Sequence, residues 1–227
     1  MNYIAGHAGC MEGNHAPKDI LNAAIILQQK HYLQLLIKMQ LENDIENCLA
    51  VLRSGGLILY PTDTVWGIGC DATNEEAVDR ILHLKERPAE KSMIILLADE
   101  KELLNYVDHP NLMVFDYIKG IHKPATMIYQ GAKNLAKNVL GPDNSVAIRI
   151  IKDPFCQKLI KKLGKPLVST SSNISGFPAP KVFNDIDIKI KKGVDYIVQH
   201  RQDEDKPAEP STIIRMNADG SYDIIRS

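Results

Sequence analysis

Residues 145–150 have the sequence Ser145-Val146-Ala147-Ile148-Arg149-Ile150, in which large apolar side chains alternate with small or polar ones. Because side chains along a strand point to opposite faces in turn, Val146, Ile148 and Ile150 share one face and the intervening residues share the other. An arginine among short neighbours, on a strand inside a sheet, indicates an anion-binding pocket such as a carboxylate site. An exposed sheet face gives the same pattern, so both interpretations stay open.

Short apolar runs that predict buried strands lie on both sides of this segment, with helical patterns between them. The predicted strands cover residues 57–60, 93–97, 125–129, 145–150 and 166–170, and a final hairpin over 213–215 and 222–225 turns at Asp219-Gly220. One predicted helix opens with a capping box at residues 73–76 and ends before Pro88, where Arg87 is expected to be extended. The others cover residues 101–107, 111–118 and 155–163, the last of which ends at Gly164. Strands and helices alternate without a repeat, which predicts an α/β domain with a mixed sheet.

The N-terminal segment has a different character. Residues 1–18 are rich in Gly, Asn and His and carry no periodicity, which is typical of disorder. The following pattern, up to Leu52, predicts two helices, with Asp19 as the cap of the first and Gly55-Gly56 ending the second.

Composition argues against several classes of function. The 227 residues carry 27 basic and 28 acidic side chains, and this balance argues against tight, sequence-independent binding of duplex nucleic acid. The four cysteines are widely spaced and form no Cys-x-x-Cys pair, which indicates neither a disulfide framework nor a zinc site. No segment has the pattern of a transmembrane helix or a signal peptide, so the sequence predicts a cytoplasmic protein.

Three cations cluster around the end of one predicted helix. Residues two apart in an extended segment point the same way, so Lys85 and Arg87 are expected to face one pocket, and Lys91 follows four residues later. Fixed cations suit a triphosphate, whose leaving pyrophosphate gains charge during adenylyl transfer. A solvated helix terminus, where cations also favour the helix dipole, explains the same cluster.

Hydroxyl-rich turns follow two of the predicted strands, at residues 60–64 and 169–173. Ligands bind at the carboxyl ends of strands in open α/β sheets, although turn-forming residues alone also explain such sequences. The common glycine-rich phosphate loops are absent from the sequence. These fragments together indicate binding of phosphate and of a small polar ligand, without identifying a reaction.

Five motifs occur in a characteristic order: Tyr-Pro-Thr-Asp-Thr-Val-Trp-Gly at 60–67, Leu-Lys-Glu-Arg-Pro at 84–88 with Lys91, Val-Ala-Ile-Arg at 146–149, Ser-Thr-Ser-Ser-Asn-Ile-Ser-Gly at 169–176, and Pro-Ser-Thr-Ile-Ile at 210–214. In this order they resemble the YrdC family of threonylcarbamoyl-adenylate synthases. The resemblance covers about residues 41–226. It predicts an N-terminal extension over residues 1–38, partly disordered or helical, and a YrdC-like domain over residues 39–227. Met39 is then an alternative start, and a native helix packed on the domain is the other interpretation.

The resemblance implies an α/β fold whose twisted mixed sheet, with flanking helices, curls around a deep, positively lined cavity. It also implies the reaction, in which threonine and bicarbonate form a carbamate that attacks the α-phosphate of ATP and releases pyrophosphate. Mg²⁺ would arrive with ATP. The expected downstream partner is a tRNA threonylcarbamoyl transferase complex, and tRNA or double-stranded RNA is a possible further ligand.

Site residues are transferred by motif. The resemblance implies a catalytic cluster of Lys85, Arg87, Ser171 and Asn173. It implies ATP contacts from Arg87, Lys91, Ser145, Ser171 and Arg226, and threonine contacts from Thr64, Arg149, Ser169 and Ser211, with Arg149 on the carboxylate.

Two segments depart from the family pattern. Residues 121–124 lack the usual Trp-Pro-Gly-Pro, and Ala179 stands where a serine often contacts ATP.

Two alternative functions stay open. One is carbamoyl-adenylate chemistry in hydrogenase maturation, although such proteins are normally far longer. The other is a double-stranded-RNA or ribosome-associated binding protein of the same fold.

Overall fold

A computed structural model describes residues 16–87, 93–110, 123–205, 207, 209–216 and 221–227. The chain divides into two compact units, Met1–Gln40 and Leu41–Ser227. One helix, α1, runs over Ala16–Arg53, so the prediction of two helices with Asp19 as a cap is wrong. The helix is continuous because residues 18–53 contain no glycine or proline that would break it. Pro17 lies in the first turn, where its missing N–H removes no hydrogen bond within the helix.

The second unit is built on one mixed sheet, which confirms the predicted fold class. The described strands are β1 Ile58–Tyr60, β2 Gly67–Gly69, β3 Ile94–Leu97, β4 Ala125–Tyr129, β5 Val146–Ile150, β6 Leu167–Ser171, β7 Tyr196–Ile197, β8 Thr212–Met216 and β9 Tyr222–Arg226. The described helices after α1 are α2 Glu75–Leu84, α3 Leu103–Tyr106, α4 Pro154–Leu163 and α5 Ile188–Gly193. Short 3₁₀ turns cover Glu100–Glu102, Lys137–Val139 and Phe183–Asp185. None of the described helices is both long enough and apolar enough to cross a lipid bilayer.

Within the described residues the strands lie in the order β7-β1-β2-β6-β3-β5-β4-β8-β9. Three pairs are parallel, β1 with β7, β3 with β5 and β4 with β8. The other five pairs are antiparallel. Strand β5, which carries Arg149, therefore lies inside the sheet between β3 and β4, as its sequence predicts.

The predicted strands form, and two further strands appear that the sequence analysis missed. β7 has two residues, too few to give a pattern. β2 reads Gly67-Ile68-Gly69, and glycine is depleted in strands. Glycine at position 69 leaves room for the buried ring of Tyr60. A Cβ atom there would lie 2.7 Å from the Tyr60 Cε1 atom and 2.8 Å from the Val168 carbonyl oxygen.

Helix boundaries show smaller differences. Asn74 caps α2 by accepting a bond from the Ala77 amide at 3.1 Å, whereas Thr73 bonds to Asp71 instead of capping the helix. Gly164 ends α4 with φ 72°, as predicted. The predicted helix at 111–118 and the predicted hairpin turn at Asp219-Gly220 lie outside the described residues.

Asp44 connects the end of α1 to the edge of the sheet. Its carboxylate is buried and accepts bonds from the Tyr196 hydroxyl at 2.6 Å and from the amides of Gln199 and His200 at 3.0 and 2.9 Å. Ionised acceptors make stronger bonds than neutral ones. This carboxylate therefore fixes the last turns of α1 against the segment that follows β7.

We expect Asp44→Ala to lower the free energy of unfolding by about 3 kcal/mol, because it removes a buried carboxylate that accepts three hydrogen bonds. Urea denaturation of the variant and of wild type measures the difference. Asp205→Ala, at an exposed position, is the matched control and should stay within about 0.5 kcal/mol of wild type. Equal losses for the two variants would contradict the anchoring role.

Candidate active site

The concave face of the sheet encloses a cavity of about 530 Å³. It is bounded by the turn after β1, the end of α2, the strands β5, β6, β8 and β9, and the loop after β6. Most of the predicted site residues line it: Thr64, Arg87, Arg149, Ser169, Ser171, Asn173, Ser211 and Arg226. The five sequence motifs are therefore brought to one place, although they are far apart in the chain.

Arg149 lies at the base of this cavity. Its side chain is only 4% exposed, which excludes the alternative of an exposed sheet face. The terminal nitrogen Nη1 donates to the Thr64 hydroxyl at 2.9 Å, and Nη2 lies 3.4 Å from an oxygen of Asp63. The Nε–H group is buried without a partner among the described residues. A buried donor of this kind costs free energy until a ligand accepts from it.

The end of β6 and the loop after it supply polar side chains to the wall of the cavity. Ser169, Thr170 and Ser171 are still in the strand, so the hydroxyls begin before the turn that the sequence predicts. The Asn173 amide donates to the carbonyls of Ile174 and Phe177, at 2.9 and 2.7 Å. Its Oδ1 atom is buried and has no partner among the described residues. The loop is thus fixed by the donor half of the side-chain amide, and the acceptor half keeps an unsatisfied hydrogen-bonding capacity.

Lys85 and Arg87 do not share an extended segment, so that prediction is wrong. Helix α2 ends in a Schellman turn, with Arg87 N bonded to Leu82 O at 2.9 Å and Glu86 in the left-handed region at φ 52°. This turn sends the two side chains in different directions. Arg87 lines the cavity, whereas Lys85 is 1% exposed and is not among the lining residues.

The Lys85 amino group instead holds the end of β6. It donates to the carbonyl oxygen of Ser171 and, at 2.5 Å, to that of Asn173. A backbone hydrogen bond also joins the end of α2 to the loop after β6, because the Ser175 amide donates to the Lys85 carbonyl oxygen at 2.8 Å. Burial and, second, the charge of Arg87 lower the pKa of Lys85 to about 7. A direct catalytic role for Lys85 remains a prediction.

Strand β9 also contributes to the wall of the cavity, through Arg226. Arg226 donates from Nε and Nη2 to the carbonyl oxygen of Ser211, at 3.0 and 2.8 Å. The Ser211 hydroxyl also lies 2.8 Å from the Thr126 hydroxyl. Desolvation and, second, the charge of Arg149 lower the pKa of Arg226. Two arginines therefore share one cavity, an arrangement that an anionic ligand stabilises.

Other predicted residues have different positions. Ser145 is buried but is not among the residues lining the cavity, so its assignment to ATP stays a prediction. Lys91 lies outside the described residues, as do Ile121 and His122 of the departing segment. Ala179 does line the cavity, so a methyl group stands where the family resemblance implies a hydroxyl.

Among the polar and aromatic lining residues, the sequence analysis assigned no ligand contact to Thr170, Phe177 or Arg215. Arg215 had a detectable signal, because it alternates with Ile214 along β8 and so shares a face with Ile213, which also lines the cavity. Phe177 is 69% exposed in a loop, where a single apolar residue gives no signal.

The lining contains four arginines, at 87, 149, 215 and 226. Among the described lining residues there is no carboxylate, lysine, histidine or cysteine. The described part of the chain also contains no cluster of three or more His, Cys, Asp or Glu side chains that could hold a metal ion. The cavity is therefore suited to binding carboxylates and phosphates, and it supplies no obvious covalent nucleophile.

This fold and this cavity define a mixed α/β protein that binds anionic small molecules. The chain matches the Sua5/YciO/YrdC family, described as "Telomere recombination", over residues 50–227. It therefore belongs to that family. Two relatives, both called threonylcarbamoyl-AMP synthase, come from Vibrio parahaemolyticus and Pseudoalteromonas translucida. The first is 34% identical over 74% of this chain and 92% of the relative, and the second 37% identical over 60% and 74%.

Solved structures support the same fold. E. coli YciO superposes with a TM-score of 0.70 at 25% identity, over 81% of this chain and 88% of that one. P. abyssi Sua5, in a structure described as complexed with L-threonine, superposes with a TM-score of 0.67 at 26% identity, over 76% of this chain. This chain spans 50% of that Sua5 chain.

Lys85 should make stability depend on pH. The pKa of a lysine in the unfolded chain is about 10.4, so between about pH 7 and about pH 10 the unfolded chain binds more protons and the free energy of unfolding rises with pH. Lys85→Met removes this contribution. Relative to the variant, wild type should gain up to about 1.4 kcal/mol per pH unit above about pH 7.

Urea denaturation from about pH 6 to about pH 9 measures this difference, with the exposed Lys101→Met as the matched control for loss of a lysine. Parallel curves for wild type and Lys85→Met would contradict the lowered pKa of Lys85.

Proposed function

We propose that this protein is a threonylcarbamoyl-AMP synthase, which makes threonylcarbamoyl-adenylate from MgATP, L-threonine and bicarbonate. The observation that carries the proposal is the buried guanidinium of Arg149 in the wall of an arginine-lined cavity, with its Nη1 fixed by Thr64 and its Nε–H without a partner among the described residues. A planar guanidinium matches the geometry of a carboxylate, and threonine presents one. The names of the curated relatives support the same activity.

The cavity divides into two regions under this proposal. Arg149, Thr64 and Ser211 form the region for the threonine carboxylate, and Ser169 lies beside them on β6. Arg87, Ser171 and Asn173 form the region for the phosphates, as an arginine and hydrogen-bonding groups at the end of a strand. The Sua5 structure described as complexed with L-threonine supports this use of the fold.

The chemistry then needs alignment and charge stabilisation. The threonine amine adds to bicarbonate with loss of water and gives a carbamate. One carbamate oxygen attacks the α-phosphorus of ATP, a new P–O bond forms, and the bond to the β-phosphate bridging oxygen breaks. Pyrophosphate leaves with that electron pair. Arg87 is placed to stabilise the charge on the phosphates, and preorganised charges of this kind supply much of an enzyme's rate enhancement.

Mg²⁺ belongs to the substrate in this proposal. A hard cation that keeps several waters is commonly carried by nucleotide phosphates, with little help from the protein. The absence of carboxylates among the described lining residues fits that arrangement. The product would pass to a tRNA threonylcarbamoyl transferase complex, and the proposal sets this reaction in the cytoplasm.

Purified protein with MgATP is expected to release pyrophosphate only when L-threonine and bicarbonate are both present. The reason is that the attacking oxygen belongs to the carbamate, so removing either precursor removes the nucleophile. A coupled pyrophosphate assay with each component left out in turn measures this. Release driven by carbamoyl phosphate would favour the hydrogenase-maturation chemistry instead. No release under any combination, with RNA binding retained, would favour a binding protein and overturn the proposal.

Arg149→Lys tests the assignment of the two regions. It keeps the positive charge but loses the planar two-donor edge. The KM for threonine should rise about ten-fold, as expected for a loss of about 1.4 kcal/mol, while the KM for ATP changes less. Arg215→Lys, which changes another lining arginine outside the proposed carboxylate region, is the matched control. A change confined to the KM for ATP would reverse the assignment.

A further inference from the structure

The turn between β1 and β2 holds Arg149 from one side. Thr64 accepts the bond from Nη1 at 2.9 Å, and its neighbour Asp63 lies 3.4 Å from Nη2. Two consecutive residues of one turn therefore engage both terminal nitrogens. The orientation of the guanidinium depends on how firmly this turn is itself fixed.

Thr62 fixes the turn from behind. Its hydroxyl lies 2.8 Å from the carbonyl oxygen of Val65 and 2.9 Å from the Thr64 hydroxyl, and it accepts from the Thr64 amide at 3.0 Å. A carbonyl oxygen can only accept, so the single proton of Thr62 goes to Val65. The contact between the two hydroxyls must then run from Thr64 to Thr62.

This direction determines what Thr64 can do. Its one proton is committed to Thr62, so towards Arg149 it acts only as an acceptor. The bonds form a one-way chain from Arg149 Nη1 to Thr64, from Thr64 to Thr62, and from Thr62 to Val65 O. Thr62 is 3% exposed and is not among the residues lining the arginine-lined cavity, so its hydroxyl acts on that cavity through Thr64 and Val65, which do line it.

We propose that Thr62 is a positioning residue, whose hydroxyl sets the direction of the Thr64 hydroxyl and thereby fixes the Arg149 guanidinium for the ligand carboxylate. The inference rests on the proposed function for the identity of that ligand as L-threonine. Asp63 complements the arrangement with a negative charge beside Nη2, and the free Nε–H faces no competing acceptor among the described residues.

Without the Thr62 hydroxyl, Thr64 is free to turn its proton towards another acceptor. Arg149 then loses a fixed partner, and its planar edge is no longer held in one orientation. The loss should fall on recognition of the carboxylate and leave nucleotide binding in place, since the phosphate region is built from Arg87, Ser171 and Asn173, none of which bonds to the Thr62 hydroxyl. This pattern distinguishes a positioning role from general destabilisation of the cavity.

The test compares Thr62→Val, which removes the hydroxyl with little change of volume, with Thr62→Ser, which keeps it. Calorimetry measures binding of L-threonine and of L-threoninamide, which lacks the carboxylate charge, to the full chain. Thr62→Val should weaken L-threonine about ten-fold, the loss expected for about 1.4 kcal/mol, with little effect on the amide. Thr62→Ser should restore the wild-type preference, and ATP binding should stay unchanged throughout.

Thr73→Val is the matched control, because Thr73 also donates its hydroxyl to a buried group, Asp71, but does not line the cavity. It should leave the preference for L-threonine at the wild-type value. Thr62→Ala gives a second hydroxyl-free variant should the valine form not fold.

Two results would overturn the inference. Folded Thr62→Val and Thr62→Ala that keep the wild-type preference would remove the role of Thr62, and equal losses for L-threonine and the amide would indicate general destabilisation. If wild type released pyrophosphate with L-threonine, either result would leave the proposed function standing. A wild-type protein that neither bound L-threonine nor released pyrophosphate would sink both.

Discussion

The hydrogen bond between Arg149 and Thr64 is the contact on which the curvature of the sheet depends. It joins β5 to the turn that follows β1, although these strands lie four positions apart in the sheet. In a flat sheet that separation would be about 19 Å, at about 4.8 Å per strand. The sheet must therefore curl until its two parts approach, and the arginine-lined cavity is the space inside the curl. A permanent buried charge makes this closure necessary, because an uncompensated guanidinium in the interior is costly.

Two different kinds of cation support the cavity. The arginines line it, whereas Lys85 is not among the lining residues and holds the end of β6 through two carbonyl oxygens. Burial and the charge of Arg87 lower the pKa of Lys85, whereas the two carbonyl acceptors favour its protonated form. The strained backbone of Glu86 allows the division, because it turns the chain between Lys85 and Arg87. Positive φ at a non-glycine residue is uncommon and is retained where surrounding structure enforces it.

The sequence predicts a large part of this arrangement, for identifiable reasons. Alternation along residues 145–150 places Arg149 on the cavity face, since a period of two leaves no other choice once Val146 and Ile148 are buried. What fails is local backbone geometry. The extended path assumed for residues 85–87 is replaced by a Schellman turn, and the glycine-rich β2 forms because its neighbours, not its own propensity, demand it. Phe177 is a single apolar residue in a loop and gives no signal, and the bond from Arg149 to Thr64 joins distant segments, which no local pattern encodes.

The composition of the cavity wall has a consequence best expressed in the language of ion exchange. Resins with permanently charged groups hold anions at every pH, whereas weakly basic resins release them as their groups lose protons. The described wall contains arginine as its only ionisable type, and arginine stays protonated under all ordinary conditions. This cavity thus behaves as a strong exchanger. Its charge stays fixed while the protonation of its ligands changes, so a ligand that loses a proton and gains negative charge is held more tightly by a wall that has not altered.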